Sequence, residues 1–159
     1  MCLMISWLTA RMNRRRSEIY SNASPLLAGH EHGELHHQGL NTPRVRERLV
    51  KVPMAQIAIS AVTEAELRFG AARKPEATRL KVAVDEFLLR VESLPWDSEA
   101  AQQYARVRAA LESGGEPMGN LDLMIAAHAL AVQAVLVTND HAFRRLKHLK
   151  TEDWSKTER

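Results

Sequence analysis

From Pro43 onward the apolar positions recur at helical or strand spacing, and before Pro43 they do not. Arg44 to Val50 sets Val45 and Leu49, with Val52 beyond, on one side of a charged segment, which predicts a helix. Ala55 to Ser60 is short, apolar and bounded by a proline, the pattern of a buried strand. Thr63 is expected to open a helix through about Ala72, with Glu66 three residues on in the capping-box position. Pro75 opens another, carrying Leu80, Val84, Phe87, Leu88 and Val91 at core spacing until Leu94-Pro95-Trp96 breaks it. Asp97 or Ser98 caps the next helix, whose Tyr104, Val107 and Leu111 face inward. The breakers between Gly114 and Asn120 form a loop. A helix from Leu121 to about Gln133, a strand from Ala134 to Thr138, a short helix from His141 to Lys147 and a strand-like piece from Leu149 to Trp154 complete the pattern.

Strands separated by helices imply an α/β fold, a parallel sheet with helices on both faces. A chain of 159 residues suffices for one domain with its own core. The apolar and charged fractions, 45% and 26%, are those of an ordinary globular protein. A single cysteine, Cys2, excludes an intrachain disulfide and points to a reducing, cytoplasmic setting. The apolar run Cys2 to Leu8 is too short to span a bilayer, and Arg14-Arg15-Arg16 follows it where a secretory signal needs charge ahead, so no membrane role is expected. The net charge of +3 comes from the first 53 residues, a modest bias compatible with a nucleic-acid partner.

Three acids fall just past junctions of this pattern. Glu66 follows the strand ending near Ser60, Asp122 opens the helix after the glycine loop, and Asp140 lies two residues beyond Thr138. In parallel α/β sheets functional groups gather past the C-terminal ends of the strands. Carboxylates there are the hard oxygen ligands that Mg²⁺ or Mn²⁺ takes, with water and a substrate phosphate completing the shell. Each acid also has a structural reading. Glu66 completes a capping box with Thr63, Asp122 complements the helix macrodipole, and Asp140 caps the following helix. His128 reads as a packed core histidine on an apolar helix face. Arg144, Arg145 and Lys147, with Lys150, form a basic patch able to hold phosphates or simply face solvent.

Together the motifs resemble a family. Ile57 to Gly70, Asn120-Leu-Asp122-Leu-Met-Ile125-Ala-Ala-His128, Leu136-Val-Thr138-Asn139-Asp140 and Leu149 to Trp154, in that order, closely resemble the PIN-domain ribonucleases of the VapC toxin type. The resemblance covers residues 43–155. It implies a PIN-like three-layer αβα sandwich around a central parallel sheet, and a Mg²⁺-dependent (or Mn²⁺-dependent) endoribonuclease site. Glu66, Asp122 and Asp140 match three of the family's four clustered acids, as catalytic and metal-binding residues, and Thr138 matches the hydroxyl that supports them. It also implies a VapB-type antitoxin as partner, RNA as substrate, and homodimerisation.

One part of the family pattern is absent. The family opens with a strand leading into Asp-Thr-Asn, whose aspartate is a metal ligand. No such triplet occurs here, and the first aspartate is Asp85. The first strand is therefore expected to be missing or altered, leaving an open slot at the centre of the sheet, lower stability and impaired catalysis. Residues 1–42 read as an atypical, poorly ordered segment, 43–155 as the PIN-like domain and 156–159 as a tail. Glu31 or Glu34 is a candidate replacement acid. The histidines between His30 and His37 lack the His-Glu-x-x-His spacing of zinc proteases and read as a flexible polar tract. The alternative to a ribonuclease is a non-catalytic PIN-like module that binds antitoxin or RNA.

Overall fold

A computed structural model describes Trp7–Thr9 and residues 43–156 of the chain. Among these residues the order is β1 (Trp7–Thr9), α1 (Pro43–Lys51), β2 (Ala58–Ser60), α2 (Ala61–Ala72), α3 (Thr78–Leu88), β3 (Glu92–Leu94), α4 (Ser98–Ser113), α5 (Asn120–Ala131), β4 (Val135–Val137) and β5 (Lys150–Glu152). Short 3-10 turns span Met54–Gln56 and His141–Arg145.

The strands are three residues each, yet their alternation builds two cores. Ala58 and Leu136 point to one face, against Leu123, Ile125, Ala126 and Ala129 of α5 and Leu111 of α4. Their neighbours Ile57, Ile59 and Val137 point to the other, with Val45 of α1, Leu67 of α2, Val84 of α3 and Trp154. Period-two side chains buried on both faces make a three-layer αβα sandwich. Helix α5 is apolar nearly all round because it lies between sheet and α4, with Leu123, Ile125, Ala126, Ala127, His128 and Ala129 all buried.

β2 pairs parallel with β3, and β4 parallel with β5. The expected open slot is filled on one side only: β1 hydrogen-bonds to β4 but not to β2, so the described strands form a sheet β1-β4-β5 and a separate pair β2-β3. β1 pairs antiparallel with β4, in the register Trp7 to Val137 and Thr9 to Val135, and also lies against β2. The sheet is thus mixed, because a strand needs only backbone donors, acceptors and apolar side chains to occupy the slot, in either direction. The poor order expected of residues 1–42 otherwise falls outside the described residues.

Other local expectations shift for identifiable reasons. Helix α2 begins at Ala61, because Ser60 accepts a hydrogen bond from Val62 N–H at 3.2 Å and so caps it. The Thr63–Glu66 capping box does not form. Glu92–Leu94 is a strand, where the sequence suggested only the end of a helix. Asp97, not Ser98, caps α4, accepting from the N–H groups of Glu99 and Ala100.

Helices α4 and α5 end alike but with different residues. Gly115, at φ +69°, ends α4, with Glu116 N–H donating to the Leu111 carbonyl. Gln133 holds the same left-handed place after α5, at φ +55°, while Ala134 N–H donates to the Ala129 carbonyl at 2.9 Å. A side chain in this conformation is strained where glycine is not. Gln133→Gly should therefore stabilise the fold by about 0.5–1 kcal/mol, raising Tm by about 2–3 °C in a thermal melt; a lower Tm would show that the Gln133 side chain contributes more than its backbone costs.

Candidate active site

The C-terminal end of β4 leads into Thr138-Asn139-Asp140. Thr138 is nearly buried, and its N–H donates to the Glu152 carbonyl at 2.9 Å, extending the β4–β5 ladder. Its hydroxyl accepts from Asp140 N–H at 3.1 Å. Asp140 in turn accepts from Ala142 N–H through Oδ1 at 2.7 Å, capping the 3-10 turn. Thr138 thereby fixes the backbone of Asp140, and capping occupies one of that carboxylate's oxygens.

The other two acids have no such employment. Glu66, half-buried on α2, and Asp122, half-buried in the first turn of α5, make no hydrogen bond or salt bridge to a described residue. The contrast with Glu64, two residues from Glu66, is instructive. Glu64 pairs with Arg68 at 2.7 Å, and hydrogen bonding to Ser93 and Arg68 holds its carboxyl below the ordinary range. The Asp122 carboxyl is shifted the other way. Burial raises it first, and the charges of Asp140 and then Glu66 raise it further. The three sequence-selected acids are therefore one electrostatic cluster.

The structure joins the elements carrying this cluster through a buried polar contact. His128 Nδ1 lies 2.7 Å from Ser60 Oγ, with both side chains essentially inaccessible. Burial lowers the imidazole's affinity for a proton, an effect the Asp97 charge partly opposes, so the ring is neutral. His128 is thus the packed, hydrogen-bonded core residue the sequence suggested. Arg144, Arg145 and Lys147 are exposed beyond Asp140, with Phe143, Leu146 and Leu149 buried between them.

Carboxylate oxygens on Glu66 and Asp122, and the uncapped oxygen of Asp140, are the donors a hard cation takes. Among the described residues no three His, Cys, Asp or Glu side chains are gathered closely enough to hold a metal ion by themselves. Nor does β1 add an acid. Its register sets Trp7, its first residue, opposite Val137 at the site end of β4, and the sequence ahead of Trp7 contains no Asp or Glu. Glu31, Glu34 and the His30–His37 cluster lie outside the described residues.

Comparison with known proteins identifies the family and the fold. The PIN domain family model matches residues 35–149, most of the chain. A tRNA(fMet)-specific endonuclease VapC of Shigella flexneri is 38% identical over 112 residues, 70% of this chain and 84% of that protein. The chain belongs to the PIN domain family, among the VapC proteins. Ribonuclease VapC2 of Rickettsia felis is also 38% identical, over 63% of this chain and 75% of its own length. Among solved structures, DNA-bound VapBC of Salmonella typhimurium superposes with a TM-score of 0.67 at 35% identity, covering 71% of this chain and 86% of that one. VapBC-1 of nontypeable Haemophilus influenzae gives 0.64 at 33% identity, covering 70% and 84%. The family match leaves out residues 1–34, which include β1. Among the described residues of this VapC-family chain, no helix is long and apolar enough to cross a membrane.

Sequence reading missed two supporting residues of this PIN domain. Ser60 was placed only as the end of a strand, although a serine just ahead of a helical run is a capping signal. Gly119 was read only as a loop breaker, and nothing local to it reveals that the Asp122 carboxylate stands against it.

The raised Asp122 carboxyl has a consequence for stability. A group that binds its proton more tightly in the folded chain makes stability fall as pH rises from the unfolded pKa through the folded one. Asp122→Asn removes that fall. Without divalent cations, its Tm relative to the parent should improve from acid to neutral pH, by about 1–2 °C after allowance for solvent screening. Parallel Tm profiles for parent and variant across that range would mean that Asp122 does not feel its neighbours.

Proposed function

We propose that this chain is a metal-dependent endoribonuclease, the toxin of a VapBC-type toxin–antitoxin pair, with activity limited by the lack of a fourth acid. The observation that carries the reading is the pair of half-buried carboxylates, Glu66 and Asp122, that make no hydrogen bond or salt bridge to a described residue, with Asp122 repelled by both Asp140 and Glu66. Unpartnered like charges in a partly desolvated place are costly for folding, and a site that binds a cation is where such a cost has a use. Mg²⁺ is the expected ion, with Mn²⁺ an effective substitute. Because Mg²⁺ keeps several waters and needs only one or two carboxylates directly, Asp122 with Glu66 or Asp140 supplies enough for a weak site.

When bound there, such an ion would orient a water and offset charge on the scissile phosphate. The chain's own groups do the rest. Asp122 and Glu66 project from two helices joined at Ser60–His128, and Asp140 is fixed by Thr138, so the acids are held before substrate arrives. Arg144, Arg145 and Lys147 extend outward from Asp140 and would take RNA phosphates. A VapB-type antitoxin as partner follows from relatives solved as VapBC complexes, and a homodimer is the expected assembly.

A second reading has its own observation. β1 pairs with β4 without an acid among Trp7, Leu8 and Thr9, which supports a fold that stands without the family's first aspartate. The chain would then bind antitoxin or RNA without cutting.

RNA cleavage by the purified chain with Mn²⁺ or Mg²⁺ separates these. The expected result is weak, metal-dependent cleavage, abolished by Asp122→Asn. A form with a parallel Asp-Thr-Asn strand restored should cut at least about 100-fold faster, the upper range for repairing a group that supports a metal site. No cleavage in either form would leave the binding module as the function. Independently, replacing Arg144, Arg145 and Lys147 by Gln should weaken RNA binding and reduce the slope of log K against log salt by about 2. An unchanged slope would assign the patch to solvent.

A further inference from the structure

Gly119 closes the loop before α5 and is the residue at which that helix is capped, yet it has no conformational need to be glycine. Its φ of −57° and ψ of 141° suit any L residue, and it makes no side-chain cap, a place where Ser, Thr, Asp or Asn does better. What it supplies is room. A Cβ built on Gly119 would stand 3.2 Å from Asp122 Oδ2 and 4.0 Å from Asp122 Cγ, and would meet nothing else within 4 Å. The backbone cannot easily retreat. Met118 packs against the core, and the Gly119 carbonyl accepts from Leu123 N–H at 2.9 Å. With a methyl group at this point, the Asp122 carboxylate is the part that must move.

The same space has another use in many helices, where an acid three residues past the cap accepts a hydrogen bond from the cap residue's own N–H. Asp122 accepts no such bond from Gly119 among the described residues. Close approach without that bond means that the carboxylate is not held there by a capping box, leaving only its general attraction to the helix N-terminus.

We propose that Gly119 is a positioning residue for Asp122, its missing Cβ leaving the space that the carboxylate occupies in the cluster with Glu66 and Asp140. The proposal rests on the metal-site reading for its functional meaning, but the contact itself does not. Glycine at this point is a means of bringing a reacting group close to backbone. A displacement of a few tenths of an ångström matters to a divalent-cation ligand, whose distances are set within about 0.2 Å.

The test uses the full chain, Mn²⁺ alone as probe followed by electron paramagnetic resonance, and thermal melting. Gly119→Ala should remain folded and bind Mn²⁺ about 10-fold more weakly, in line with the loss of a group that orients a ligand. Gly70→Ala, on the helix that carries Glu66 and with nothing within 4 Å of its added Cβ, should bind as the parent does. Parent-like Mn²⁺ affinity in Gly119→Ala overturns the proposal, as does an equal loss in Gly70→Ala. If the parent binds no Mn²⁺, the metal reading fails, and melting decides the positioning claim. Gly119→Ala should then lower Tm more in the parent than in an Asp122→Ala background, where the opposing carboxylate is gone; equal changes in both backgrounds overturn it.

Discussion

Ser60 Oγ holds two elements together at one buried point. It accepts from Val62 N–H, which starts α2, and lies 2.7 Å from Nδ1 of His128, two turns into α5. The contact joins the neutral ring and the serine hydroxyl, each of which can act as donor or acceptor. Removing either partner would leave a polar atom unsatisfied in a site with essentially no solvent access, a cost of about 1–3 kcal/mol. This contact matters beyond stability because of what the two helices carry. Glu66 lies on α2 and Asp122 on α5, and their mutual repulsion pushes the elements apart. The serine–histidine contact and the packing of Val62 with Leu123, Ile125 and Ala126 oppose that push from below.

Electrostatic strain and packing are therefore arranged in layers along the same elements. Below the strand ends the side chains are apolar and interlocked. At the strand ends, the hydroxyl of Thr138 and the backbone of the 3-10 turn organise Asp140. Above them stand the two carboxylates, without hydrogen-bond or ion-pair partners among the described residues. An enzyme-like site of this kind is stable only because the destabilising groups sit on elements whose lower halves are well packed. The exposed ion pairs, Arg68 with Glu64, Lys81 with Asp85 and Arg108 with Glu112, follow helix periodicity and have no part in this arrangement.

Much of this was legible in the residues. Core spacing in α3, α4 and α5 largely follows the hydrophobic pattern: Val84, Val91, Leu111 and Ile125 are buried as it requires, whereas Leu121, on the same expected face of α5, is exposed and Leu123 is buried instead. The start of α2 was misplaced because two capping signals compete, Ser60 and Thr63, and only the tertiary contact of Ser60 with His128 decides between them. Glu92-Ser93-Leu94 gave no strand signal, since a short strand with two exposed side chains is fixed by its ladder to β2 rather than by its own composition. The acids could be selected from sequence but not separated from caps. Asp140 turned out to be a cap as well as a cluster member, whereas Glu66 and Asp122 are caps of nothing. That distinction rests on hydrogen bonds absent from particular atoms, which no periodicity encodes.

The reversed first strand shows how far sheet closure and chemistry are separable. The edge of β4 asks for a row of backbone donors and acceptors. Trp7-Leu8-Thr9 meets that demand running antiparallel, pairing residue for residue with Val137, Leu136 and Val135. An acidic site asks for something a reversed strand cannot give by the same means. In a parallel strand the chain leaves toward the ends of β2 and β4, so the residue just past the strand falls among Glu66, Asp122 and Asp140. In the antiparallel register Trp7 stands opposite Val137, at the end of β4 that leads to Thr138, and Thr9 stands opposite Val135, so β1 ends at the far edge from the acids. A strand can therefore add to a sheet without carrying an acid of its own. Pairing of β1 with β4 and the repulsion on Asp122 thus rest on different residues, so the stability of the sheet says little about the chemistry at its acidic end.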